Sequence, residues 1–246
     1  MSRPAPSENR EHRRTEIVRA GLELLEEGGL EALSLRRVAQ ALRMHAPGLY
    51  WYIEDKQELI DLMARAILDE ALGDEHGPAG GESWETWLTE MAVGMRRVML
   101  ARRDGARVVA GSYLFRTHSI LRMLETSVRL MEEQEGYGRD LALHGVITVM
   151  RYTMGIALDD QAEPRERAEF IRQRLASGER IAPEVDATLY PRVGEVMGRW
   201  VAQIFVPGAT PAQIGEQHFR HGLALVMAGI KAVRAAKLAA GDGTAV

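Results

Sequence analysis

Tyr50, Trp51 and Tyr52 stand in a row behind Leu49. Successive residues of a helix or strand point in different directions, so one core cannot take all three rings. They sit in "MHAPGLYWYIEDKQEL", between a Pro-Gly pair and a run of charges. A tyrosine hydroxyl can donate to a phosphate, and ring carbons can touch a thymine methyl. Lys56 adds a cation for phosphate, and Arg36 and Arg37 add two suited to backbone or guanine contact. Arg3, Arg10, Arg13 and Arg14 form a candidate basic N-terminal arm. These types at these spacings suit contact with DNA. The plain alternative is an aromatic cluster packed into a small core, and composition does not decide between the two.

Groupings that would carry catalysis are thin. His218 and His221 are three apart and can share a helix face, but two histidines alone more often pack or face solvent than bind metal. Asp159 and Asp160 have no partner base at a diagnostic spacing. There is no G-x-S-x-G, no P-loop and no H-E-x-x-H. With no cysteine in the chain, neither a disulfide nor a thiolate nucleophile is available. The expectation is a protein that is not an enzyme and needs neither cofactor nor metal.

A formal net charge of -4 over 246 residues excludes a generally basic coat, so any nucleic-acid surface must be local. The N-terminus, "MSRPAPSENREHRR", lacks the apolar core of a secretory signal. No apolar run approaches the ~18 to 20 residues that span a bilayer, and a cytoplasmic location is expected. The twelve methionines suit an adaptable interior.

The elements that must position these residues are helical. "TEIVRAGLELLEEGG" puts Ile17, Ala20, Leu24 and Leu25 on one face and stops at Gly28-Gly29. Ser34 can cap "LRRVAQAL", with Leu35, Val38, Ala39 and Leu42 as its apolar stripe. The turn "RMH" leads to "APGLYW", where Pro47 falls in a first turn that does not need its N–H. Two short helices so joined form a helix-turn-helix pattern. Asp55 and Glu58 make a capping-box-like start for a helix running to Gly73. After a Gly-rich loop to Glu82, helices are expected at Ser83 to Arg103, Ser119 to Glu135, Arg139 to Asp159 and Thr210 to Ala240. The polar stretch over 161–183 reads as a mobile connector or a loosely packed helix. No strand series is visible, and the fold class is all-α.

"SLRRVAQALRMHAPGLYWYIEDKQELIDLM" resembles the DNA-binding domain of the tetracycline repressor family. The shared features are Ala39, the run Leu49-Tyr50-Trp51-Tyr52-Ile53, and Lys56-Gln57-Glu58-Leu59. "GESWETWL", "RRDGARVVAG" and "LDDQ" continue the likeness in order and spacing. It covers about Thr15 to Gln161 and, more faintly, the last helix. "LYWY" resembles the tetracycline-responsive subgroup most. One departure is Arg43, where the family often has Gly; a positive φ there would be strained for Arg.

The resemblance implies a three-helix DNA-binding domain over 1–60 and a larger helical effector-binding and dimerisation domain over 61–246. It implies DNA contacts at Arg36, Ala46, Pro47, Gly48, Tyr50, Trp51, Tyr52 and Lys56. Ala46 and Gly48 stand where tetracycline members have Gln and Thr, so a different operator is expected. It implies a homodimer on a palindromic double-stranded operator, paired through the last two long helices. Gly145, Val149, Tyr152 and Ile156 face Leu223, Val226, Gly229 and Ile230 in that reading.

The tetracycline members hold their drug as a magnesium chelate. Their metal-ligating histidine falls on Val109, and a second histidine on Leu72. Other drug-contacting positions fall on Met91, Met95, Ser112, Tyr113 and Leu114, and loosely on Val128; only an acidic position survives, as Asp159. Trp87, Phe115 and Tyr152 complete the expected pocket. Val cannot ligate Mg²⁺. The implied effector is therefore a small, mostly apolar molecule and not tetracycline–magnesium, unless Asp159 with His118 or His144 rebuilds a metal site. The implied function is a ligand-released DNA-binding repressor. The competing reading is a helical enzyme or interaction scaffold with a non-functional helix-turn-helix.

Overall fold

The computed structural model describes residues 6–73, 78, 80–162, 188–196 and 211–240. Within them the secondary structure is helical and contains no strand. Thr210, Arg3, the tail 241–246, residues 74–77 and 79 of the Gly-rich loop and 163–183 of the polar connector fall outside the described residues.

α1 spans Pro6–Ala32 and is broken at Gly29, whose φ is 73 and ψ -178. Ile17, Ala20, Leu24 and Leu25 are buried, as their spacing predicts. Gly21 permits a close crossing, because a Cβ there would lie 2.9 Å from Met63 Sδ and 3.4 Å from Leu59 Cδ1. α2 is Leu35–Ala41, capped by Ser34, whose Oγ accepts from the Arg37 N–H at 3.3 Å. α3 is only Ala46–Leu49, so Trp51 lies past it in a turn and not inside a longer helix.

α4, Lys56–Leu72, starts at Asp55, whose carboxylate accepts from the Glu58 N–H at 2.8 Å. Glu58 reaches back to the Glu54 N–H at 2.6 Å, one residue earlier than a strict capping box. Leu59, Met63, Ile67 and Leu68 are buried along it. α5, Trp84–Leu100, is capped by Ser83. α6, Gly105–Ala110, was not expected from periodicity, and a 3-10 turn follows at Leu114–Arg116. α7 is His118–Glu135, α8 is Arg139–Ala162 and α9 is Pro211–Ala239.

The chain divides into two compact units, Met1–Leu158 with Val226–Val246, and Asp159–Leu225. In the first, α4 packs on α1, α5, α6 and α7. In the second, a helical stretch lies at 191–196, and Phe219 and Leu223 are buried. α8 is, by length and composition alone, apolar enough to cross a membrane, which the sequence reading did not expect. Part of its apolar surface packs inward, where Ala142, Val146, Val149 and Met150 are core residues.

Candidate nucleic-acid interface and effector segment

The head presents a mixed aromatic and cationic surface. Leu49 and Ile53 turn inward, 1% and 0% exposed, while Tyr50 and Trp51 remain 57% and 79% exposed. Tyr52 is half-buried, and Pro47 and Lys56 are exposed. Leaving a whole indole in water forfeits roughly 1.5–3 kcal/mol of burial, so its exposure has no stabilising explanation within the chain. Gly48 sits inside α3, where a Cβ would meet nothing nearer than Met44 Cε at 4.0 Å. Packing does not require glycine there; close approach of another backbone would.

Charge sorts the surface further. Arg13 pairs with Glu16 at 2.6 Å, Arg14 with Glu58 at 2.5 Å and Arg19 with Glu23 at 4.0 Å. Arg37 donates to the Ala32 carbonyl at 2.9 Å and lies 3.8 Å from Glu27. Arg37 is therefore a strut between α2 and the end of α1. Arg10, Arg13 and Arg14 belong to α1 and do not form an arm. Arg36, Arg43 and Lys56 are exposed and have no acidic partner among the described residues. Arg43 keeps the left-handed backbone that glycine would favour, with φ 53.

The residues expected around an effector divide in two. Leu72, Trp87, Met91, Met95 and Val109 are buried on α4, α5 and α6, at 4%, 9%, 4%, 0% and 0% exposure. Trp87 donates Nε1–H to Ser127 Oγ at 2.9 Å, and Ser127 donates its own O–H to the Met123 carbonyl at 2.7 Å. Val128 and Tyr152 are half-buried, and Ser112 donates to the Val109 carbonyl at 2.8 Å. Tyr113 and Phe115 do not join the buried set; they are 62% and 51% exposed, because the 3-10 turn buries Leu114 instead. Asp159 is exposed and opens the other compact unit.

Polar links tie this segment to α4, which begins four residues after Tyr52. Gln57 donates to the Gly111 carbonyl at 2.8 Å and to Asp61 at 2.9 Å, and Asp61 accepts from the Tyr113 N–H at 3.0 Å. At the other end of α4, Arg122 donates to the Leu72 carbonyl at 2.9 Å. The α5–α6 turn also grips α1 at its break: Asp104 accepts from the Leu30 N–H at 2.8 Å, and Arg103 donates to the Glu27 carbonyl at 2.9 Å. Sequence reasoning missed Gln57, Asp61, Asp104 and Ser127, since their partners lie 40 to 74 residues away. The left-handed Asp104, φ 54, left no local signal beyond the Asp-Gly pair.

A model of the tetR family of bacterial regulatory proteins matches residues 17–63, and a model of tetracyclin repressor-like C-terminal domains matches residues 77–234. The chain belongs to the TetR family. It is a ligand-responsive DNA-binding transcriptional repressor of that family. It is 33% identical over 218 residues to the class D tetracycline repressor protein of Escherichia coli, covering 89% of this chain and 88% of that one. Its structure is similar to that of a possible TetR family transcriptional regulator from Streptomyces coelicolor A3(2), with TM-score 0.69 and 29% identity, over 89% of this chain and 99% of that one. The Streptomyces coelicolor TetR family protein ActR, solved in complex with actinorhodin, matches with TM-score 0.69 and 25% identity, over 89% and 96% of the two chains.

Seen as a TetR-family chain, α8 and α9 correct part of the expected pairing face. Gly145 and Val149 are buried within the chain, and a Cβ on Gly145 would meet Ile230 Cδ1 at 3.2 Å. Ile230 and Leu223 are also buried, while Tyr152, Ile156 and Val226 are half-buried. Outward lie Leu143, Thr148 and Gly155 of α8, with Leu225, Gly229 and Val233 of α9. Among the described residues, no atom lies within 4 Å of a Cβ built on Gly155 or Gly229. No cluster of three or more His, Asp or Glu suited to a metal occurs among the described residues. His118 and His144 are exposed, and His144 Nδ1 lies 2.8 Å from the Asp140 carbonyl. His218 and His221 are exposed on α9.

Proposed function

We propose that this TetR-family chain is a cytoplasmic homodimer that holds a palindromic operator and is released by a small, mostly apolar effector. In this reading residues 1–60 bind DNA and 61–246 bind effector and partner. The DNA face is Arg36, Ala46, Pro47, Gly48, Tyr50, Trp51, Tyr52 and Lys56. The chain does no catalysis and uses no metal. One observation carries the effector class: Val109, wholly buried, stands where the tetracycline members place a metal-ligating histidine. With Leu72, Met91 and Met95 it makes an apolar surround whose adaptable methionines can repack about a ring system. The ActR structure, a TetR family protein in complex with actinorhodin, supports an effector other than tetracycline–magnesium.

Release requires that the effector bind the DNA-free arrangement better than the DNA-bound one. The links from Gly111 and Tyr113 to Gln57 and Asp61 give a route from α6 to the first turns of α4, beginning one residue from Lys56. Calorimetry with a panel of apolar ring compounds, and with tetracycline with and without Mg²⁺, tests the reading. Binding of a ring compound that also displaces a labelled operator duplex is the expected result. Tight tetracycline binding that vanishes on chelation of Mg²⁺ contradicts it.

A further inference from the structure

Two non-glycine residues among those described have a left-handed backbone, Asp104 and Arg43. Such a conformation is costly for an L-residue and persists where the surroundings or a function demand it. Asp104 is accounted for within the chain: one carboxylate oxygen caps Leu30 N–H and the other lies 3.3 Å from Arg107 Nη1. Arg43 has no such account. Its backbone closes α2 in a Schellman motif, with the Met44 N–H donating to the Ala39 carbonyl at 2.8 Å and the Arg43 N–H to the Gln40 carbonyl at 3.0 Å. The left-handed position of that motif is where glycine serves best. The Arg43 side chain is exposed and has no acidic partner among the described residues. It lies in the turn that delivers Ala46, Pro47 and Gly48.

We propose that Arg43 is a DNA-backbone contact, a phosphate clamp in the turn of the helix-turn-helix that adds to Lys56 on the other side of the recognition segment. The inference rests on the DNA-binding reading of this head. A strained turn that glycine would relax is kept because a guanidinium there reaches a phosphate, which it holds in a two-pronged grip. A competing account is that the cation merely offsets the negative end of the α2 dipole. That account predicts a loss of stability on removal of the charge; the clamp predicts the reverse.

The test uses a duplex that the full-length protein selects from a random-sequence library, titrated from low to high salt, beside thermal melting of each variant. Arg43→Gly is expected to melt higher than the unaltered chain. It should bind the duplex more weakly, with a log–log salt slope shallower by about 0.9 per protomer. That slope corresponds to about five-fold per contact at ~0.15 M salt relative to 1 M, and about thirty-fold for two protomers. Arg43→Lys should keep the slope without the gain in melting temperature. An Arg43→Gly protein that binds with an unchanged slope overturns the inference, and so does one that melts lower. If Tyr50→Ala and Lys56→Ala are also silent, the interface reading falls with it; if they weaken binding, only the clamp falls.

Discussion

A single charge placed on α9 should separate dimer formation from folding. At Gly229, which is exposed and whose Cβ would meet no atom of the described residues within 4 Å, aspartate fits without strain. In the single chain it should be neutral or slightly stabilising, since any ordinary residue improves on glycine in a helix by a few tenths of a kcal/mol. In a two-fold dimer paired on this face, symmetry buries two such carboxylates. An uncompensated buried charge costs roughly 3 kcal/mol or more, so two cost about 6 kcal/mol and weaken the dimer about 10⁴-fold. The control is Val149→Asp. Val149 is 0% exposed, so the same charge enters the core and removes about 3–5 kcal/mol or more of folding stability. Sedimentation or light scattering at micromolar concentration, with circular dichroism, reads both. Gly229→Asp should give a folded 27.4 kDa species, and Val149→Asp a molten or unfolded one. A Gly229→Asp protein that remains a dimer with unaltered affinity refutes the assignment of this face.

Three further outcomes follow from particular contacts. Trp51→Ala should change folding stability by no more than about 0.5 kcal/mol while weakening duplex binding, whereas Leu49→Ala, at a position 1% exposed, should cost about 2–5 kcal/mol of stability; denaturant melts and gel shifts check the pair. Burial pushes the Glu85 carboxyl up, but the hydrogen bond from Lys231, backbone bonding and the ammonium's field outweigh it and hold the group below its ordinary 4.5. A carboxyl depressed in the folded state stabilises above its ordinary pKa and loses that contribution as pH falls through the folded value. Lys231→Met should therefore raise the Glu85 pKa and flatten the acid limb of the stability curve, which NMR titration and melts between pH 3 and 6 would show. Ser127→Ala should strand the buried Trp87 N–H and cost about 1–3 kcal/mol, measurable by urea unfolding.

Much of this architecture was legible in the residues because its signals are local. Ile17, Ala20, Leu24 and Leu25 repeat at helical spacing, and Ser34 and Asp55 each sit where a helix needs an N-cap; both caps form. The exposed rings were legible too, since three in succession cannot all turn inward. What escaped depended on distant partners. α6 is six residues long, too short to show a period, and is held by the contacts of Asp104 and Arg107 with α1. Gly145 reads like a pairing-face residue, but its missing side chain admits Ile230 of the same chain. Tyr113 and Phe115 read like pocket residues, yet the register of the 3-10 turn faces Leu114 inward between them. Small and apolar residues carry no mark that tells a core contact from an intermolecular one.

The central claim, that this head reads DNA through the Tyr50–Trp51 turn, is tested most directly by equilibrium titration of a selected palindromic duplex against a scrambled one across a range of salt. The account predicts preference for the palindrome, one dimer per duplex, affinity falling steeply with salt, and a weaker complex with Tyr50→Ala at an unchanged melting temperature. Equal affinity for both duplexes, or a Tyr50→Ala protein that binds as tightly as the unaltered chain, would contradict it.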